Sequence, residues 1–273
     1  MKSSKARKLP RHKIGSRMTI PKFLYKYQPA NEKTIANLEH QILWFSKPST
    51  FNDPYDCAIT PVVDLSDEEC EEWFDSCWKR AITEDSKIFY EQNKNNKVKA
   101  ARERLEDEAH ILLDEKKREI LSSWGVACFA EQKDVMLMWS HYADGHKGFC
   151  LKFDTSADFF RNLLPINYIK EFPSVNIGQA LLGKEFPDIL RPMIKTKARY
   201  WKYEREWRAL RPVGGQGYSY ETNCLKGVYF GVAIDSHYKQ LIKQIMQGSS
   251  TALYDMVKSE EKFHLGWRIH KVL

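Results

Sequence analysis

Apolar side chains in this sequence arrive in short bursts bounded by turn residues: KFLYKY (22–27), LWFS (43–46), GVACFAE (125–131), GFCLKFD (148–154), INYIKEF (166–172), WKYEREWRAL (201–210), KGVYFGVAI (226–234) and FHLGWRIHKV (263–272). Bursts of this length, alternating or unbroken, read as strands. Residues 66–121 break the pattern. Ser66 and Glu69 form a capping box, and Trp73, Phe74, Cys77, Trp78 and Ile82 follow at helical spacing. A polar break, EQNKNNK (91–97), precedes a second helix over about 98–121, with an apolar stripe of Leu105, Ala109, Leu112 and Leu113. Shorter helices are expected over 31–42, over 176–199 with a break near Pro187 and Pro192, and over 235–247 under an Asp235 cap; GGQG (214–217) reads as a flexible turn. Strands in the core and helices in insertions make the class α+β.

Charge divides the chain unevenly. Residues 1–30 hold nine lysines and arginines and no acid, against +7 for all 273 residues, so the remainder is net −2. The expected organisation is a basic flexible tail (1–20) and a single α+β domain (21–273) with the helical insertion at about 66–121. The tail can bind nucleic acid through counterion release, or serve only as a solvated leader. The insertion reads as a lid, a surface for a protein partner, or a packed layer. The tail has no apolar core of a secretory signal, and no run approaches the roughly 20 apolar residues of a membrane span. Six cysteines without a C-x-x-C pair point to reduced, buried thiols in a cytoplasmic protein, with no structural zinc site.

Three stretches concentrate groups that can do chemistry. In YWKYEREWRALRP (200–212), a strand would place Glu204 and Glu206 on one face with Lys202 and Arg208, and Trp201, Tyr203, Arg205 and Trp207 on the other. Two carboxylates so placed are either a reactive pair or part of a salt-bridged surface ladder. In MWSHYADGHKGFC (138–150), His141 and Tyr142 are candidates to line a pocket; His141 and His146 are five apart with no intervening glutamate, which is not a zinc pair. In LWFSKPSTFNDPYD (43–56), Ser46, Asn52 and Asp53 sit in a loop at a strand end, where ligands are commonly held, although Asn and Asp before proline also form Asx-turns unaided.

Taken in order, FLYKYQ, ILWFSKPSTFNDPYD, CFAEQKDVMLMWSHYADGHKGFCLKFD and YWKYEREWR resemble an uncharacterised bacterial domain-of-unknown-function family over about residues 23–212. The layout of that family in turn resembles ADP-ribosyltransferases. This second resemblance implies a compact, mostly antiparallel split β-sheet that clamps NAD as substrate. It implies Tyr25 or Tyr27 as the first-strand contact, Ser46 as a ribose contact, Glu206 as the catalytic carboxylate and Glu204 as the residue addressing the acceptor. The expected activity is ADP-ribosyl transfer or NAD hydrolysis, in a toxin or antiphage defence effector. The first strand has no His or Arg at the position that family uses, and no S-T-S segment follows. Two other readings stand beside it: a nucleotide- or nucleic-acid-binding module without catalysis, and a metal-dependent nuclease in which Asp53, Asp56, Asp144, Glu204 and Glu206 hold Mg²⁺.

Overall fold

Eight strands join in one sheet: β1 (Phe23–Gln28), β2 (Gly125–Ala130), β3 (Phe149–Asp154), β4 (Leu164–Pro165), β5 (Glu206–Arg211), β6 (Leu225–Phe230), β7 (Ala252–Lys258) and β8 (Leu265–Ile269). Their order across the sheet is β8-β7-β6-β3-β1-β2-β5-β4. The computed structural model describes residues 19–270, so all but the last two positions of the expected tail lie outside them. Neighbours are antiparallel except β6 and β7, which run parallel and are joined through helix α6 (Ser236–Ile245). The class is therefore α+β with a mostly antiparallel sheet. The helices before α6 are α1 (Glu32–Glu39), α2 (Asp67–Lys79), α3 (Glu84–Asn93), α4 (Lys97–Ser123) and α5 (Met136–Tyr142).

Alternation sorts the strand residues between two faces. On one, Leu24, Phe129, Phe153, Trp207 and Phe230 pack against Ile35 and Leu38 of α1 and Ile242 of α6. The other face carries two separate clusters. Tyr25, Tyr27, Cys150 and Tyr229 pack with Met138 and Trp139 of α5. Val126 packs with Ala109 and Leu113 of α4 and with Ile177, Ile189, Met193 and Ile194. Leu105, one turn earlier on α4, turns instead to Trp73 and Phe74 of α2. A single stripe on α4 thus ties the 66–121 helices to the sheet. Each such fully buried Leu or Phe contributes about 1.5–3 kcal/mol.

The sheet is not equally closed along its width. β1 pairs with β3 at six consecutive positions, but with β2 only at Tyr25 and Ala130. This seam lies between the two clusters of the second face.

Several expected elements differ. WKYEREWRAL is not one strand. Arg199–Glu204 coils as a 3₁₀ turn, Arg205 takes a left-handed conformation (φ 42°), and only Glu206–Arg211 is extended. The turn packs Tyr203 against the tyrosine cluster and draws Glu204 inward, burial that the alternating pattern does not encode. The 176–199 stretch forms only short helical turns, Gly178–Leu181 and Leu190–Ile194, before Thr196–Ala198 extends to pair with Asn167–Ile169. GGQG is no free turn: Gln216–Ser219 pairs with Ile42–Phe45. β7 had no sequence expectation at all.

Candidate functional site

The seam and the loops around it enclose a cavity of about 140 Å³, lined by Tyr25, Lys26 and Tyr27 of β1, Asn52 and Asp56 of the FNDPYD loop, Tyr142 of α5, and Lys197, Glu204, Glu206 and Arg208. Each polar group gets there for a local reason. Glu206 and Arg208 are two apart on β5 and share its inner face. Glu204 comes in on the 3₁₀ turn. Asp53 closes an Asx-turn by accepting the Tyr55 amide (2.9 Å), and this bend turns Asp56 toward Arg208. Lys197 sits on the short strand before the 3₁₀ turn.

Three carboxylates meet two cations in this space, and all five side chains are at most 5% exposed. Arg208 clamps Asp56 with both terminal nitrogens (Nη1–Oδ1 2.9 Å, Nη2–Oδ2 2.7 Å). Its Nε donates to Glu206 Oε1 at 2.6 Å, and Nη1 donates to the Ile194 carbonyl at 3.0 Å. Lys197 Nζ donates to Glu204 Oε2 at 2.6 Å and to Glu206 Oε2 at 3.3 Å, and lies 3.7 Å from Asp56 Oδ2. The Tyr142 hydroxyl donates to Glu204 Oε1 at 2.6 Å, and the Glu206 amide donates to the Tyr168 hydroxyl oxygen at 2.8 Å.

With every group ionised the cluster is net −1, and the two glutamates share the imbalance unequally. Burial alone would raise Glu206, but Arg208 and Lys197 outweigh it and hold its carboxyl down at about 2. Glu204 moves the other way: burial, and then the Glu206 charge, raise it despite Lys197. Burial would likewise lower Lys197, yet Glu206 and Glu204 keep it firmly protonated. Paired acids pushed apart in this manner divide into a permanent anion and a group able to exchange a proton.

Of the residues singled out from sequence, Tyr25, Tyr27, Asn52, Tyr142, Glu204 and Glu206 line the cavity together. Ser46, Asp53 and His141 are not among its lining residues. Ser46 is occupied in a backbone bridge with Val126, Asp53 in its Asx-turn, and His141 is exposed between the rings of Tyr142 and Trp201. Of the two cations expected on the face of the glutamates, Arg208 pairs with Glu206, whereas Lys202 is exposed and Lys197 stands in its place. The glutamates do not form a surface ladder, being buried at 3% and 5% exposure. Lys26, which alternation turns away from the tyrosines, nevertheless reaches the cavity through the open seam. Its Nζ donates to the Cys128 carbonyl at 3.2 Å, and burial pulls the amine below the ordinary lysine range. Among the described residues no group of three His, Cys, Asp or Glu is arranged to hold a metal ion.

Much of the MWSHYADGHKGFC motif is architecture. Asp144, Gly145 and His146 are consecutive left-handed residues (φ 48°, 58° and 68°) that reverse the chain between α5 and β3. The His146 ring stacks on Trp139, whose indole N–H donates to the Lys133 carbonyl (2.7 Å). Only Tyr142 from this motif faces the polar cluster directly.

The fold and the site define an α+β protein with a buried acid–base network at a sheet seam. Residues 138–209 match the model of a family described as protein of unknown function (DUF2971), in line with the family resemblance. That stretch carries Tyr142, Lys197, Glu204, Glu206 and Arg208, but not the β1 tyrosines or Asp56. No curated protein and no solved structure matches the chain. Among the described residues no helix is long and apolar enough to cross a membrane.

Proposed function

We propose that the cavity is the reaction site of an ADP-ribosyltransferase-like enzyme that breaks the nicotinamide–ribose bond of NAD. The observation that carries the reading is the divergent glutamate pair at the seam, facing two tyrosines of the first strand. A hollow of about 140 Å³ suits a single ring, close to the roughly 150 Å³ that admits benzene elsewhere. The nicotinamide ring would enter, against Tyr25 and Tyr27, and the rest of the dinucleotide would lie along the rim.

As the N-glycosidic bond breaks, nicotinamide leaves neutral with the bonding electrons and the sugar becomes an oxocarbenium-like cation. Glu206, ionised and held by Arg208, stabilises that charge more than it stabilises ground-state NAD. Its Oε2 accepts from Arg208 Nη2 at 3.1 Å and from Lys197 at 3.3 Å, both longer than the 2.6 Å bond from Arg208 Nε to Oε1, so Oε2 is the more loosely held oxygen and the one to turn to the ribose. Oxygen of water or of an acceptor bonds the anomeric carbon, and Glu204, the weaker acid, takes the released proton. The substrate sets the site of action in the cytoplasm, and uncontrolled turnover would suit a toxin or antiphage effector.

The test is nicotinamide release and label transfer from NAD by wild type, Glu206→Gln and Glu204→Gln. Glu206→Gln should lose about two to three orders of magnitude. Glu204→Gln should flatten the rising limb of the pH–rate profile. Equal rates in wild type and Glu206→Gln, with both folded, would sink the reading. Expression in cells should arrest growth, and Glu206→Gln should relieve the arrest.

A further inference from the structure

Beyond the cavity, the same face of the sheet continues across β1, β3, β6, β7 and β8, and α5 covers only part of it. The uncovered part carries aromatic rings and lysines in alternation. Tyr254, half-buried, stacks at 4.5 Å with planes 10° apart on the buried Tyr229, which meets the buried Tyr25 edge-on at 6.0 Å. Trp267 and Ile269 of β8 are 44% and 72% exposed. Lys133 Nζ lies 3.6 Å from the Trp267 ring centroid and 5.7 Å from that of Tyr25. Lys152 and Lys22 lie 3.9 and 5.4 Å from the Phe23 centroid.

These cations crowd one another. Burial, then Lys133 and Lys22, depress the Lys152 amine. The acids felt by the patch are Asp134 and Asp154; Lys226 and Lys22 face Asp154. Four lysines against two aspartates leave a net positive surface on a chain whose residues beyond 30 are net negative. Residues 1–18, with seven more lysines and arginines, join the chain at this end of β1.

We propose that this open sheet face binds single-stranded nucleic acid. Bases stack on the accessible rings of Trp267, Phe23 and Tyr254, while Lys22, Lys133 and Lys152 take the phosphates. A duplex hides the base faces the rings would meet. Five strands at about 4.8 Å spacing span roughly 19 Å, enough for about four nucleotides. The face ends at Tyr25, which also lines the cavity, so a bound strand would lie beside its mouth. The proposal does not rest on NAD chemistry, because binding is read without NAD.

The test is fluorescence anisotropy of the full chain with a labelled oligouridylate and an oligothymidylate of about 12 nucleotides, at about 50 and 200 mM salt. Trp267→Ala should weaken binding by about tenfold and Trp267→Tyr should largely restore it, which separates lost stacking from lost folding. Lys152→Gln should reduce the slope of log affinity against log salt by about 0.7, while Lys79→Gln on α2 should leave it unchanged. The proposal is overturned if wild type binds neither strand, or if Trp267→Ala and Lys152→Gln bind as wild type does. Equal affinity for duplex DNA, or for heparin undiminished by Trp267→Ala, also overturns it.

Discussion

Arg208 has no contact with solvent, yet it binds one carboxylate two residues away and another 152 residues away. Its planar fork spans both at once, which a single ammonium group cannot do. Replacing it by Met leaves Asp56 and Glu206 buried without their cation. We expect a loss of about 3–5 kcal/mol in urea unfolding, little of it recovered by Arg208→Lys. The pH dependence follows from Glu206. Its folded value, about 2, lies below the roughly 4.3 of an unfolded glutamate; the stability it lends is present above that unfolded value and fades as pH falls toward about 2. Wild type should therefore lose stability progressively below about pH 4, and Glu206→Gln should lose less over the same window. Lys197→Met reverses the dependence. It leaves excess negative charge on Glu204, an acid already raised in the fold, so the variant should gain stability as pH falls and that carboxyl takes up its proton. Denaturation midpoints across pH check all three statements.

At the scale of elements, the turn from α5 into β3 depends on Gly148. A Cβ built there would stand 2.0 Å from the Gln28 carbonyl oxygen at the end of β1. Backbone meets backbone at that point, so no rotamer change relieves the clash, and Gly148→Ala should cost about 3 kcal/mol or more by thermal or urea unfolding. Ser66 is a milder case. It accepts the Glu69 amide at 3.1 Å while Glu69 accepts the Ser66 amide at 3.0 Å, so Ser66→Ala should cost about 1 kcal/mol. Such local devices were legible, because a cap or a strand burst is written in adjacent residues. The 3₁₀ turn before Glu206 was not: WKYEREW alternates well enough for a strand, and what bends it is the pull of Lys197 and the tyrosine cluster from outside the window. β7 was missed for a related reason, since Asp255 interrupts its apolar run to bind Lys239 and His270 on the sheet's other side.

Across the whole molecule, the cavity takes its polar groups from five separate stretches, around residues 27, 56, 142, 197 and 206. Resemblance and alternation found the tyrosines and glutamates. They did not find Lys197, which has no periodic signal, or assign Asp56 and Arg208 to each other across 152 positions. The seam that admits these groups divides the sheet into β8-β7-β6-β3-β1 and β2-β5-β4. Amides flanking the Tyr25–Ala130 pair should exchange with deuterium by local opening, well before those of the six-position β1–β3 ladder. The backbone passes between the two blocks four times, from β1 to β2, β2 to β3, β3 to β4 and β5 to β6. No one cleavage of the chain can therefore yield either block as an intact fragment. Whatever occupies the gap, the halves are laced too often to come apart or to be reassembled from two pieces.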